Sequence, residues 1–281
     1  MTKIVVIGDL IIDKYLEGNC ERISPEAPVP ILKVEKTYYT AGGAANVAKN
    51  LKALGANVTL FTVFGYDSTV RNIALDVLSN LPTVEIFDQS RKFSIKTRLV
   101  AQNQQLARYD DESTHSINND VADELIQNFK KHCEEYQVDA IVLSDYNKGV
   151  ISPYFLQEFN KIVKLLHIKV FADPKQNLNT YQNTFLITPN LKEANQLFKT
   201  NMKTKEDVFN NAIVLNRIRE MNNIQNIVIT LGSDGACLLY ENFVKHFDTK
   251  KVSVFDVTGA GDTFLAALIF DYLNSKDLYN A

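Results

Sequence analysis

The chain has 281 residues, enough for one large domain, and its 46% hydrophobic and 22% charged residues match a globular composition. A formal net charge of −3 offers no electrostatic case for nucleic acid or an anionic membrane as partner. No apolar run approaches the roughly 18 residues that span a bilayer, and the run after Met1 is too short for a signal peptide, so a cytoplasmic protein is expected. The cysteines Cys20, Cys133 and Cys237 lie far apart and form no CxxC pair, which suits free thiols. The four histidines, His115, His132, His167 and His246, show no metal-ligand spacing.

Along the chain, short apolar runs alternate with amphipathic helical stretches, the pattern of a layered α/β sheet. A buried strand is expected over 4–8, a helix over 44–54 closed by Gly55, and a strand over 58–64. A helix follows over 70–78, with Asp67 or Ser68 as its cap. Next come a helix over 121–136, a strand over 140–143, and a helix over 153–166 with Ser152 as N-cap and Pro153 in first position. Strands are expected over 170–172, 185–187 and 227–230, and a last helix over 260–273. Two alternating segments, 15–37 and 94–110, break the rhythm and read as strands outside the main sheet. They could cover a substrate site, pair subunits, or extend an edge of the sheet.

The strongest local feature is Asp256-Val257-Thr258-Gly259-Ala260-Gly261-Asp262 ahead of an apolar helical run. Glycine lets backbone amides approach a ligand, and a helix start adds unpaired N–H groups and a positive dipole end. Gly259, Ala260 and Gly261 can therefore hold an anion such as a transferring phosphoryl group. Asp262 in the same turn is either the base for an attacking hydroxyl or an ordinary helix cap. The sequence has no GxxxxGK[ST], and Phe264 stands where GxGxxG needs its third glycine, so neither a P-loop nor a dinucleotide fingerprint is present.

Other clusters support a ligand site. Asn190 and Glu193, after an apolar run, suit a capping box or a polar group at the ligand-binding edge of the sheet. Glu193 could hold Mg²⁺ through water. Thr230, Gly232 and Gly235 form either a phosphate-contacting turn or a plain hairpin turn. At the other end, Asp9 and Asp13 with Gly42, Gly43 and Asn46 could bind sugar hydroxyls, while Asp9 alone reads equally as a turn residue and Asn46 as a helix-surface residue.

The order GD…D, GGAAN, TPNLKE, TLGSDG, VTGAGD resembles the ribokinase-like (PfkB-type) carbohydrate kinases, from about Ile4 to the C-terminus. Arg22–Pro30, Gly42–Ala48, Asn103-Gln104-Gln105, Ser144-Asp145-Tyr146-Asn147-Lys148-Gly149 and Asp173-Pro174-Lys175 are most similar to the D-glycero-D-manno-heptose 7-phosphate kinases, the kinase half of a bifunctional heptose enzyme. The resemblance implies a three-layer α/β fold, a mostly parallel sheet with helices on both faces, in one kinase domain over 1–281. The two alternating segments would form a small β-lid that pairs subunits into a homodimer. It implies ATP and Mg²⁺ as cofactors and phosphorylation of the sugar phosphate at its anomeric hydroxyl, for synthesis of a nucleotide-activated heptose. Asp262 would be the base and Gly259, Ala260 and Gly261 the anion hole. Asp13, Gly42, Gly43 and Asn46 would hold the sugar, with Asp145 and Lys175 nearby. Asn190, Glu193, Thr230, Gly232 and Gly235 would lie on the ATP–Mg²⁺ side. The chain stops soon after Asp262, at Ala281, so an incomplete adenine wall and no nucleotidyl transfer are expected. Ala101-Gln102 stands where a basic residue for the 7-phosphate is expected. A kinase of another sugar, or a catalytically weak ligand-binding protein, are the other readings.

Overall fold

The computed structural model describes residues 1–176, 178–241, 243–250 and 258–281. Asp256 and Val257, at the start of the glycine turn, lie outside the described residues. The strands in chain order are β1 (Lys3–Gly8), β2 (Leu10–Ile23), β3 (Pro30–Gly43), β4 (Asn57–Phe64), β5 (Thr83–Phe87), β6 (Ser94–Ala101) and β7 (Gln104–Asp111). They continue with β8 (Ala140–Ser144), β9 (Lys169–Asp173), β10 (Leu186–Ile187), β11 (Asn226–Thr230), β12 (Ala236–Tyr240) and β13 (Phe243–Phe247). The helices are α1 (Ala44–Ala53), α2 (Ser68–Val77), α3 (Asn119–Glu135), α4 (Pro153–Leu166), α5 (Leu191–Phe198), α6 (Lys205–Asn210), α7 (Ala212–Met221) and α8 (Ala260–Ser275).

Strand β1 shows why the fold has three layers. Ile4, Val5, Val6 and Ile7 are all buried, so both faces of the strand need cover. Val5 and Ile7 join a core with Phe129 of α3 and Phe155 and Phe159 of α4. Ile4 and Val6 join a second core with Val47 and Leu51 of α1 and Leu265 and Ile269 of α8. Each such side chain contributes about 1.5–3 kcal/mol on burial. Among the described residues, nine strands form this sheet in the order β13-β12-β11-β10-β9-β8-β1-β4-β5. Neighbours from β11 to β5 are parallel, while β12 pairs antiparallel with both β11 and β13.

Local chemistry fixes the helix starts. The Ser152 hydroxyl accepts from the Phe155 amide at 3.1 Å, capping α4. The Asp67 carboxylate accepts from the amides of Thr69 (2.8 Å) and Val70 (3.0 Å), so Asp67 and not Ser68 caps α2. The capping box of Asn190 and Glu193 forms at α5. The sequence pattern misses α7 because Ile213 and Val214 are exposed while Asn216 is buried, so its apolar residues trace no single stripe. It misses β5 and β13 because each is five residues long and mixed in character.

Both alternating segments lie in a second, four-stranded sheet, β3-β2-β6-β7. Strand β2 follows β1 after a single residue, Asp9, so the chain passes directly from one sheet to the other. A Cβ on Gly8 at that exit would meet the Ser144 carbonyl oxygen at 2.0 Å, which leaves room for glycine alone. Among the described residues, no helix is long and apolar enough to cross a membrane.

Candidate active site

Helix α8 begins at Ala260 behind Gly259, whose φ of 75° lies in the left-handed region. Among the described residues no side chain caps this helix start, so none of them pairs its first amides or covers the positive dipole end. A Cβ on Gly259 would sit 2.7 Å from Asn46 Nδ2, and none of the described atoms lies within 4 Å of the Cβ position of Gly261. Gly259, Ala260 and Gly261 thus form an open cradle of backbone amides.

Asp262 in the first turn of α8 is 6% exposed. Its Oδ2 accepts from Asn46 Nδ2 at 2.7 Å, and its Oδ1 accepts from the Tyr146 hydroxyl. Burial pushes the carboxyl above the ordinary carboxylate range, while the bonds from Tyr146 and Asn46 and the charge of Lys175 pull it back. A desolvated carboxylate held by two donors is a stronger and better aimed proton acceptor than a solvated one.

In front of Asp262 lies a pocket of about 240 Å³ between the two sheets, lined among others by Asp13, Gly42, Gly43, Asn46 and Tyr146. Asp13 Oδ1 pairs with Arg98 Nη1 at 2.6 Å, with both side chains under 10% exposed. The Arg98 guanidinium also lies 5.3 Å from the Tyr15 ring centroid, and Tyr15 stacks on Tyr38 at 4.9 Å. Gly42 is required because a Cβ there would lie 2.3 Å from Asp13 Oδ2. Lys96, two residues before Arg98 on β6, lines the same pocket. It is half-buried, its ammonium pushed down by burial, and no described carboxylate lies within ion-pair distance of it.

A second cluster sits at the C-terminal ends of β9, β10 and β11. Lys175 Nζ bonds Asp173 Oδ2 (2.8 Å) and Glu193 Oε1 (2.7 Å). Glu193 Oε2 accepts from the Asn190 amide at 2.9 Å. Asn190 bridges to Thr230, and the turn through Gly232 closes with the Leu231 amide on the Gly235 carbonyl at 2.8 Å. A Cβ on Gly235 would meet the Phe247 carbonyl at 1.9 Å, so this glycine serves the β12–β13 hairpin whatever else it contacts. Asn190, Glu193, Thr230, Gly232 and Gly235 therefore share one edge. Lys175 lies 5.5 Å from the Tyr146 ring centroid and links that edge to the pocket.

Asp145 does not line that pocket, but the backbone amide and the charge of Lys175 both act on its carboxylate. One oxygen accepts from the Asn147 amide at 2.7 Å and the other from the Tyr181 hydroxyl, and it lines a separate cavity of about 140 Å³. Asp9 is structural: its carboxylate accepts from the amides of Tyr146 (2.8 Å), Lys148 (3.1 Å) and Val150 (3.0 Å). Burial and the charge of Asp145 push its carboxyl up to about 6. Lys96 and Arg98 in the pocket wall escape the motif reading altogether, and Tyr146 enters it only within Ser144–Gly149, with no sign of its contact with Asp262. The signal for Lys96 and Arg98 is the period-2 spacing of basic residues on a strand.

Among the described residues, no group of three or more acidic, His or Cys side chains is placed to hold a metal ion. Both Glu193 oxygens are already engaged. That donor set suits Mg²⁺ carried on phosphate oxygens and reached through water, and no all-protein cage. Cys133 and Cys237 carry thiols pushed up to about 11 by burial, far from reactive thiolates.

Known proteins resemble this chain along nearly its whole length. The family model described as pfkB family carbohydrate kinase matches residues 1–281. Bifunctional protein HldE of Sulfurimonas denitrificans is 39% identical over 280 residues, covering 98% of this chain and 57% of that protein. Bifunctional protein HldE of Helicobacter pylori is 38% identical over 289 residues, covering 100% of this chain and 60% of that protein. The chain thus spans somewhat more than half the length of the curated relatives it matches. Among solved structures, phosphofructokinase-2 from Escherichia coli gives a TM-score of 0.79 at 19% identity, over 99% of this chain and 88% of that one. Sa239 gives 0.77 at 22%, over 100% and 90%. At such identities these likenesses establish the fold alone. With the family match running from the first residue to the last, the chain belongs to the pfkB family of carbohydrate kinases, ATP-dependent phosphotransferases.

Proposed function

We propose that this chain transfers the γ-phosphoryl group of ATP to the anomeric hydroxyl of D-glycero-D-manno-heptose 7-phosphate, giving the 1,7-bisphosphate. The product would feed the synthesis of a nucleotide-activated heptose for lipopolysaccharide or another surface glycan. The observation that carries the chemistry is the buried Asp262 carboxylate, aimed by Asn46 and Tyr146, beside the uncapped start of α8. The heptose rests on the motif resemblance and on the relatives named HldE.

In this reading Asp262 takes the proton of the anomeric hydroxyl as its oxygen attacks the γ-phosphorus. The new O–P bond forms while the bond to the β,γ-bridging oxygen breaks, and ADP leaves with that electron pair. The amides of Gly259, Ala260 and Gly261 face the charge that develops on the transferring group. Asp13, Gly42, Gly43 and Asn46 hold the sugar hydroxyls. Lys96 supplies the cation for the phosphate already on the sugar, in place of the basic residue lacking at Ala101-Gln102. Asp145 acts through its hydrogen bonds to the connection that carries Tyr146, and Lys175 stands between sugar and nucleotide. Asn190, Glu193, Thr230, Gly232 and Gly235 form the ATP side. Mg²⁺, when bound, neutralises phosphate charge, with Glu193 holding it through water. Exposed Ile23, Val34 and Tyr109 on the second sheet support a homodimer through that sheet. The substrates, ATP and a sugar phosphate, support a cytoplasmic setting.

A kinase of another sugar phosphate is the second reading, favoured by the generic chemistry of Lys96 in the pocket. ATP turnover across a panel of sugars and sugar phosphates separates the two. The heptose 7-phosphate should give the highest kcat/KM, and turnover confined to a different sugar would refute the heptose assignment.

A further inference from the structure

The groups around Asp262 include one whose placement draws on a buried network of its own. Tyr146 lies on the connection between β8 and α4, outside any regular element. A side chain on such a segment keeps its aim only if the backbone is tied down. Asp9, 1% exposed, ties it through the three amides of residues 146, 148 and 150. Arg91, 4% exposed, donates through Nη2 to the Lys148 carbonyl, and Lys148 Nζ pairs with Glu112 at 2.5 Å. Neither Asp9 nor Arg91 lines the pocket. Burying a carboxylate and a guanidinium this deeply costs stability unless they are paired and hydrogen-bonded, so the network has to be read by what it fixes. What it fixes is the tyrosine hydroxyl on Asp262 Oδ1.

We propose that Tyr146 is a positioning residue for the phosphoryl transfer. Its hydroxyl aims the Asp262 carboxylate at the acceptor and favours its ionised form, and Asp9 and Arg91 hold the tyrosine in place. The inference rests on Asp262 being the base. Tyr146 does not block it, because each carboxylate oxygen retains a lone pair for the incoming hydroxyl. The tyrosine stays a donor throughout, since burial and the charge of Asp262 push its own ionisation far upward.

The sign of the effect follows from the groups that face Asp262. Burial and the charge of Asp13 raise its pKa, while the bonds from Tyr146 and Asn46 and the charge of Lys175 lower it. Asp173, at the end of β9, faces it as a further like charge. Lys96 and Lys175 lie 5.7 and 5.5 Å from the Tyr146 ring centroid. Removing the hydroxyl deletes a lowering contribution and leaves the others, so the base must protonate at higher pH.

The test is the pH profile of kcat for the full chain and for Tyr146→Phe, at saturating ATP–Mg²⁺ and sugar phosphate, with thermal unfolding as a check on folding. The acidic limb should move up by about one pH unit: a roughly tenfold loss of rate at low pH that shrinks towards none at high pH. An unmoved limb, or a loss equal at every pH, would overturn the proposal, because a packing role alone predicts that result. Asp262→Asn separates this from the base reading. If that variant keeps wild-type turnover, the base assignment fails and the proposal with it. If it is inactive while the Tyr146→Phe profile is unmoved, the tyrosine proposal alone fails.

Discussion

Replacing Arg98 by methionine should cost about 3–5 kcal/mol of stability, well beyond the roughly 0–1 kcal/mol of a surface ion pair. The magnitude follows from burial. Arg98 Nη1 and Asp13 Oδ1 are 2.6 Å apart, with 7% and 9% of their side chains exposed. Methionine keeps most of the volume but leaves the Asp13 carboxylate buried without its cation, and it forfeits the guanidinium contact with the Tyr15 ring. For a chain of this size roughly 2 °C of Tm accompanies each kcal/mol, so the melting point should fall by about 6–10 °C. Asp13→Asn should destabilise for the converse reason, and the double variant should be less unstable than the two costs summed, by about 2 kcal/mol or more. Urea denaturation of the four proteins reads this directly. If Arg98→Met costs under about 1 kcal/mol and adds to Asp13→Asn within about 0.5 kcal/mol, the pocket is solvated and the pair does not prealign Asp13.

Asp262→Asn should lower kcat by about 10²–10⁴ while leaving Tm unchanged or higher, because it removes a carboxylate that burial disfavours; a lowered Tm with normal kcat would refute both halves. Lys96→Ala should raise KM for the sugar phosphate by about 10–100-fold and leave KM for the unphosphorylated sugar unchanged, and equal effects on both would remove its assignment to the phosphate. Burial pushes the Asp173 carboxyl up from 3.8 to about 7, against the opposing charge of Lys175 and with the like charge of Glu193. An acid whose folded pKa exceeds its unfolded value binds protons on folding, so its contribution is lost as pH rises from about 4 to about 7. Asp173→Asn should flatten that fall in urea midpoints, and an unaltered slope would contradict the assignment.

The layered fold was legible because β1, β4 and β8 are apolar on both faces, which requires cover on both. The glycine turn at Gly259 was legible because its residues are contiguous and precede an apolar helix. The surroundings of Asp262 were not. Asn46 and Tyr146 reach Asp262 across 216 and 116 residues of sequence, and no local period encodes such a meeting. Arg98 and Lys96 escaped notice because basic residues on an alternating strand read as a solvated face, until the second sheet folds them over the pocket. Asp9 and Asp13 look equivalent in sequence. Their roles divide once Asp9 is seen to accept three backbone amides while Asp13 lines the pocket beside Arg98.

Phosphorus-31 NMR of the chain with ATP, Mg²⁺ and D-glycero-D-manno-heptose 7-phosphate shows which oxygen receives the phosphoryl group. A new anomeric phosphate signal should form in step with ADP while the 7-phosphate signal persists, and it should be lost in Asp262→Asn. Phosphate on any other oxygen, ATP hydrolysis without a sugar product, or an undiminished rate in that variant would contradict the proposed mechanism.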